Sequence, residues 1–145
     1  WARGQGWNVA GLAAAYRATG ADRYREALEA TVGYYREQSP PDLVPCWDFE
    51  APDAPDAPRD TSAAALVAYG LARLPDEPAV TDLRATGEAV LASLLADYVV
   101  TDPDDPRRGM VLHGCYDYPG RYAIDNELVW TDYYVAYTLA ALLGP

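Results

Sequence analysis

Lysine is absent from this chain: all eleven basic residues are arginine. The planar arginine fork suits two-point recognition of a carboxylate, although a coding bias toward arginine would give the same count. Bases are also outnumbered, 22 acids against 11, for a formal charge of −11. A nucleic-acid binder needs a basic face to displace counterions from phosphate, so this balance argues against one. No charge pattern suits an anionic membrane surface either. Cysteine is scarce: Cys46 and Cys115 stand alone and far apart, so neither a CxxC motif nor a disulfide framework is available. Two reduced, half-buried thiols of a cytoplasmic protein are the expectation. With His113 the only histidine, zinc binding and Cys-His catalysis have poor support. No apolar run is long enough to span a bilayer, and nothing resembles a signal peptide.

What is present is enough chain for one domain: 145 residues, half of them hydrophobic. It opens without methionine inside a dense stretch, Trp1-Ala2-Arg3-Gly4-Gln5-Gly6-Trp7, and reads as part of something longer. Two indoles, a guanidinium, an amide and two glycines are costly at an ordinary helix start, because glycine weakens helices and exposed tryptophan is unfavourable. A ligand would account for them: flat rings stack on a sugar, arginine holds a carboxylate, and glycine allows close backbone approach.

Small apolar residues on nearly every side suit a helix over Gln5 to Thr19 that is surrounded by other helices, ended by Gly20. Ala21 to Gln38 has Tyr24, Leu28, Val32 and Tyr35 on one side and a wet face opposite, so it reads as an outer helix antiparallel to the first. Ser39 to Asp60 holds six of the twelve prolines and is a long loop, with Ala51 to Pro58 as an extended strap and Trp47 and Phe49 packed in its middle. Asp60 or Thr61 caps an inner helix to about Leu74. Ala79 to about Tyr98 is outer, with Leu83, Val90, Leu91, Leu94 and Tyr98 on its apolar face. A second long loop, Val99 to about Ile124, begins charged and solvated and becomes aromatic and glycine-rich from His113 to Tyr122. Asp125 or Asn126 caps the last helix, which runs to Gly144-Pro145.

The order inner, outer, inner, outer, inner, with long loops always leading from outer to inner, is what an α/α toroid requires. It places the opening stretch, Trp47 to Phe49, Asp60 to Ser62, His113 to Tyr122 and Asp125 to Trp130 around one mouth. Three helix N-termini and Arg3 offset the acidic field there for an anionic ligand, and the aromatics supply stacking platforms. Carboxyl candidates for acid chemistry are Asp48, Asp60, Asp117, Asp125 and Asp132, most of them explicable as caps and turns.

Trp1 to Trp7, Val44-Pro-Cys-Trp-Asp-Phe49, Pro58-Arg-Asp-Thr-Ser-Ala-Ala-Ala65, Leu112-His-Gly-Cys-Tyr116 and Ile124-Asp-Asn-Glu-Leu-Val-Trp-Thr-Asp-Tyr-Tyr134 together resemble, in that order, unsaturated glucuronyl hydrolase, glycoside hydrolase family 88. The resemblance implies an all-α fold, the C-terminal part of an (α/α)6 barrel, with residues 1–145 forming a partial catalytic domain. It implies removal of the unsaturated uronic acid that polysaccharide lyases leave at the non-reducing end of oligosaccharides. In that chemistry an aspartate protonates the C4=C5 enol ether and directs water to C5, and the hemiketal then collapses, unlike direct displacement at the glycosidic bond. No metal or organic cofactor is implied, and the two key aspartates of the family lie upstream of this motif, so no catalytic residue is assigned. Matching positions give Arg3 and Trp7 as substrate contacts, Trp1 and Gln5 beside them and Tyr116 on the far wall. Gly6, Cys115 and Thr131 depart from the residues usual in the family. The absence of a Ser/Lys cluster around Tyr118 to Arg121 leans the preference toward unsulfated sugars. Unsaturated rhamnogalacturonyl hydrolase is the near alternative, and a non-catalytic helical scaffold or sugar-binding remnant the distant one. The isolated chain is expected to be inactive, with inner helices such as Ala63 to Tyr69 facing water in an open half-barrel.

Overall fold

The computed structural model describes residues 1–144 and is all-helical, with five α-helices among the described residues. They are α1 (Ala2–Thr19), α2 (Asp22–Gln38), α3 (Thr61–Leu71), α4 (Thr81–Ser93) and α5 (Val129–Leu143). A 3-10 turn, Pro78–Val80, leads into α4, and a π-helical turn, Leu94–Tyr98, extends it, so the outer helix expected over this stretch is present in three pieces.

α3 is the centre. It packs against α1, α4 and α5, while α2 packs on α1, which reproduces the alternation of inner and outer helices. Every residue from Thr61 to Ala68 is buried, and only Tyr69 is half-buried. The expectation that Ala63 to Tyr69 faces water is therefore corrected: α1, α4 and α5 already surround it. The apolar surface left open lies on α1 and α5 instead, at Trp7, Tyr133, Tyr137 and Leu143. α2 and α4 bury one stripe each, Leu28, Val32 and Tyr35 on the former and Leu83, Val90 and Leu91 on the latter, as their 3.6-residue periodicity requires.

Close approach of the inner helices explains one glycine and helix termination another. A Cβ on Gly6 would meet the Ala63 carbonyl oxygen at 2.8 Å, so this glycine serves α1–α3 packing and not access for a ligand. Gly20 ends α1 in the left-handed conformation, φ 62°, with its N–H donated to the Tyr16 carbonyl.

Three local expectations need correction. α1 begins at Ala2, so the opening cluster is itself helical and its side chains are dealt to different sides. The segment Ala51 to Pro58 is not extended but a run of tight turns, with Ala51, Ala54 and Asp56 N–H groups donated to the carbonyls three residues earlier. Proline fixes φ where such turns need it, which is why a proline-rich strap folds up here. Neither Asp125 nor Asn126 caps α5; Leu128 stands at its N-cap without a side-chain bond. Asn126 is occupied in a reciprocal backbone pair with Gly114, at 2.8 and 2.9 Å, which keeps the chain extended until Leu128. No helix among the described residues is long and apolar enough to cross a membrane.

Candidate sugar-binding pocket

The loops and N-termini expected around one mouth are tied to each other by backbone bonds. Ala2 N–H donates to the Trp47 carbonyl at 3.0 Å, Trp47 N–H to Pro58 at 2.9 Å, and Thr61 N–H to His113 at 3.1 Å. The start of α1, the proline loop, the start of α3 and the aromatic loop therefore meet at one place.

At that place Arg3 is almost wholly buried, 5 % exposed. Its Nη2 donates to the Tyr116 carbonyl at 2.5 Å and its Nη1 to Ser62 Oγ at 3.3 Å. The guanidinium carbon lies 5.0 Å from the Trp1 ring centre, 5.4 Å from Tyr116 and 5.7 Å from Trp130, within cation–π range of all three. Below it, Asp60 is completely buried. One of its oxygens, Oδ1, accepts from Ser62 N–H at 3.1 Å, Ser62 Oγ at 2.6 Å and Cys115 N–H at 3.3 Å. Oδ2 has no hydrogen-bond partner and stands 3.9 Å from Arg3 Nη1. Burial pushes the Asp60 carboxyl above the usual carboxylate range, with Ser62 and Arg3 partly opposing it.

Beside Arg3 is a cavity of about 320 Å³ lined by Trp1, Trp47, Tyr116, Tyr118 and the turn at Asp117 and Pro119; Arg3 does not line it but lies against two of its walls, Trp1 and Tyr116. Trp47 and Tyr118 stack at 4.9 Å between ring centres, and Tyr118 donates to Asp53 at 2.8 Å, joining the two long loops at the rim. Flat aromatic faces with few polar groups are what a sugar ring needs from a binding wall. Burial, and next the neighbouring Asp60, raise the Cys115 thiol to about 11, so it lines the pocket as an inert small group.

The five residues expected to touch substrate divide. Trp1, Arg3 and Tyr116 come together. Gln5 turns away and donates to the Thr31 carbonyl on α2 at 3.2 Å. Trp7 lies on the α5 side of α1, edge-on to Tyr134 with centres 5.7 Å apart, and outside the cavity lining. The carboxyl candidates are also engaged locally: Asp48 accepts from Glu50 N–H at 2.9 Å, Asp117 from Gly120 N–H and Asp132 from Val111 N–H, and Asp125 pairs with His113 Nδ1. Sequence reading missed the tie between Asp60 and Arg3; the signal available was a capping aspartate sharing one rim with the only arginine in the opening cluster.

Fold and site define a class: alternating helical layers of an α/α toroid, with loops at one rim building an aromatic-walled pocket over a buried arginine. No protein-family profile matches the chain. It is 35 % identical over 136 residues to the unsaturated glucuronyl hydrolase of Formosa agariphila, covering 92 % of this chain and 34 % of that protein. It is 32 % identical over 139 residues to the unsaturated chondroitin disaccharide hydrolase of Streptococcus pneumoniae, covering 92 % and 35 %. A crystal structure of a mutant unsaturated glucuronyl hydrolase from Streptococcus agalactiae, complexed with dGlcA-GalNAc6S, superposes with a TM-score of 0.84 at 29 % identity, over 99 % of this chain and 39 % of that one. The chain is thus similar, over nearly its whole length, to the C-terminal portion of the unsaturated glucuronyl hydrolases. It spans about a third of the length of the curated relatives it matches.

Proposed function

We propose that this chain supplies one wall of the sugar site in a glycoside hydrolase that removes 4,5-unsaturated glucuronic acid from the non-reducing end of lyase-generated oligosaccharides. The observation that carries the reading is Arg3, a buried cation roofed by Trp1, Tyr116 and Trp130 at the edge of an aromatic cavity. The rings hold the sugar face. Arg3, already bonded to the Tyr116 carbonyl, contributes chiefly a positive field from behind the Trp1 and Tyr116 walls, which favours the uronate carboxylate over a neutral sugar. Of the remaining assigned contacts, Trp7 keeps an exposed ring edge-on to Tyr134 of α5, whereas Gln5 holds α1 to α2.

In this proposal residues 1–145 are part of one catalytic domain, and the proton donor is an aspartate outside them. It protonates C4 of the enol ether, water adds at C5, and the hemiketal opens with release of the aglycone. The relative crystallised with dGlcA-GalNAc6S supports a disaccharide of this type as ligand. The absence of a Ser/Lys cluster around Tyr118 to Arg121 supports an unsulfated aglycone. Two free, buried thiols fit a reducing, cytoplasmic setting.

The test is loss of the absorbance of the conjugated C=C–COO⁻ group when a polypeptide of the relatives' length containing this chain meets lyase-generated disaccharides. Decay on glucuronyl substrates is expected. Decay only on unsaturated rhamnogalacturonyl disaccharides would transfer the assignment to the neighbouring activity, and no decay on either would leave a sugar-binding scaffold.

A further inference from the structure

We infer that Asp60 is a positioning residue for Arg3: one of its oxygens closes the helix and the other fixes the guanidinium beneath the aromatic pocket. The two oxygens have separate tasks. Oδ1 takes all three hydrogen bonds, from Ser62 N–H, Ser62 Oγ and Cys115 N–H, and so caps the α3 N-terminus and, beside the bond from Thr61 N–H to the His113 carbonyl, helps pin the aromatic loop. Oδ2 takes none and is buried. A buried carboxylate oxygen left without a hydrogen bond is costly, and 3.9 Å is too long for one, so what compensates it is Coulomb attraction to Arg3 Nη1 in a low-dielectric site.

Arg3 needs this partner equally. It is 5 % exposed, and its two hydrogen bonds go to neutral acceptors, Ser62 Oγ and the Tyr116 carbonyl. Among the described residues Asp60 is its only carboxylate partner. Without that charge the guanidinium has reason to swing outward to water, past Trp1, leaving the Tyr116 carbonyl and loosening the pocket wall. Asp60 is closed to solvent and so cannot itself pass a proton to substrate; it acts through Arg3.

Asp60→Asn separates the two tasks, since the amide oxygen can keep the role of Oδ1 while the amide nitrogen removes the charge facing Arg3. In the wild-type protein the buried, hydrogen-bonded Arg3 side-chain N–H groups are expected to exchange slowly with solvent. In D60N they are expected to exchange at least about tenfold faster, with the Ser62 and Cys115 amides close to wild type, whereas in D60A all three open. Unchanged Arg3 exchange in D60N overturns the inference, as does acceleration of Ser62 and Cys115 by the same factor, which would make Asp60 a cap only. Should D60N not fold, the carboxyl titration of Asp60 decides: it rises in Arg3→Met if the pair is coupled, and an unchanged midpoint overturns the inference.

These readouts need no sugar. The consequence for binding rests on the function proposed above: affinity for the unsaturated disaccharide falls about tenfold in D60N, with little further loss when D60N is added to Arg3→Met. Absence of disaccharide binding by the wild type would defeat the proposed function while the exchange experiment still judges Asp60.

Discussion

Replacing Arg3 by methionine keeps most of the apolar stem and removes the charge, leaving Asp60 in a buried site without its counter-ion. Removing one member of a buried pair costs roughly 3–5 kcal/mol, a large fraction of the ~5–15 kcal/mol that holds a typical domain together. Part of that loss, from the Tyr116 carbonyl left without its donor, does not depend on pH. The remainder does. Burial already holds the Asp60 carboxyl above its usual range, and the loss of Arg3 raises it further. A group whose folded pKa exceeds its unfolded value favours folding below the unfolded pKa, and that contribution is lost as pH rises through the folded one. The stability gap between wild type and R3M is therefore smallest near pH 4 and widens toward neutrality. Urea titrations at pH 4.5 and 7.5 would measure it, and the double variant R3M/D60N should recover stability relative to R3M at the higher pH. Equal loss at both pH values, or a double variant as unstable as the sum of the singles, would refute the coupling.

Gly87→Ala should destabilise the α3–α4 contact, because its Cβ would fall 2.6 Å from Leu71 Cβ and 2.9 Å from the Leu71 carbonyl carbon; overpacking outweighs the gain in helix propensity, for a net loss of about 2 kcal/mol and a Tm drop on the order of 6 °C. Cys46 and Cys115, both buried and both with raised thiol pKa values, should resist iodoacetamide at pH 8 in the folded protein and react fully in urea. Cys115 adds a sign at alkaline pH: its pKa rises from 9.0 to about 11 on folding, chiefly through burial, so stability should decline across that interval, visible as a falling Tm. Tyr116→Ala should weaken binding of the unsaturated disaccharide about tenfold, with Tyr116→Phe retaining the stacking face; equal effects of both in a calorimetric titration would count against stacking.

The layer order was legible because each outer helix carries one apolar stripe while α3 carries small residues all round, a difference that periodicity records directly. The rim was legible because loops leading from outer to inner helices must share an end. What could not be read was how a helix divides a cluster. Trp1 to Trp7 looks like one unit in sequence, yet with α1 starting at Ala2 the 3.6-residue turn sends Arg3 inward, Gln5 toward Thr31 and Trp7 toward Tyr134. The cap of α5 escaped for a similar reason: Asp125 and Asn126 have capping chemistry, but pairing of Asn126 with Gly114 and of Asp125 with His113 claims them first. Asp60 was readable as a cap through its local bond to Ser62; its link to Arg3 spans 57 positions and leaves no local trace.

The most direct measurement is a crystal structure of the polypeptide, at the length of its relatives, with a lyase-generated unsaturated disaccharide bound. The expected result is a sugar ring lying against Tyr116 and the Trp1–Trp47 side of the cavity, with its carboxylate on the Arg3 side. A disaccharide bound without touching any of these residues would contradict it.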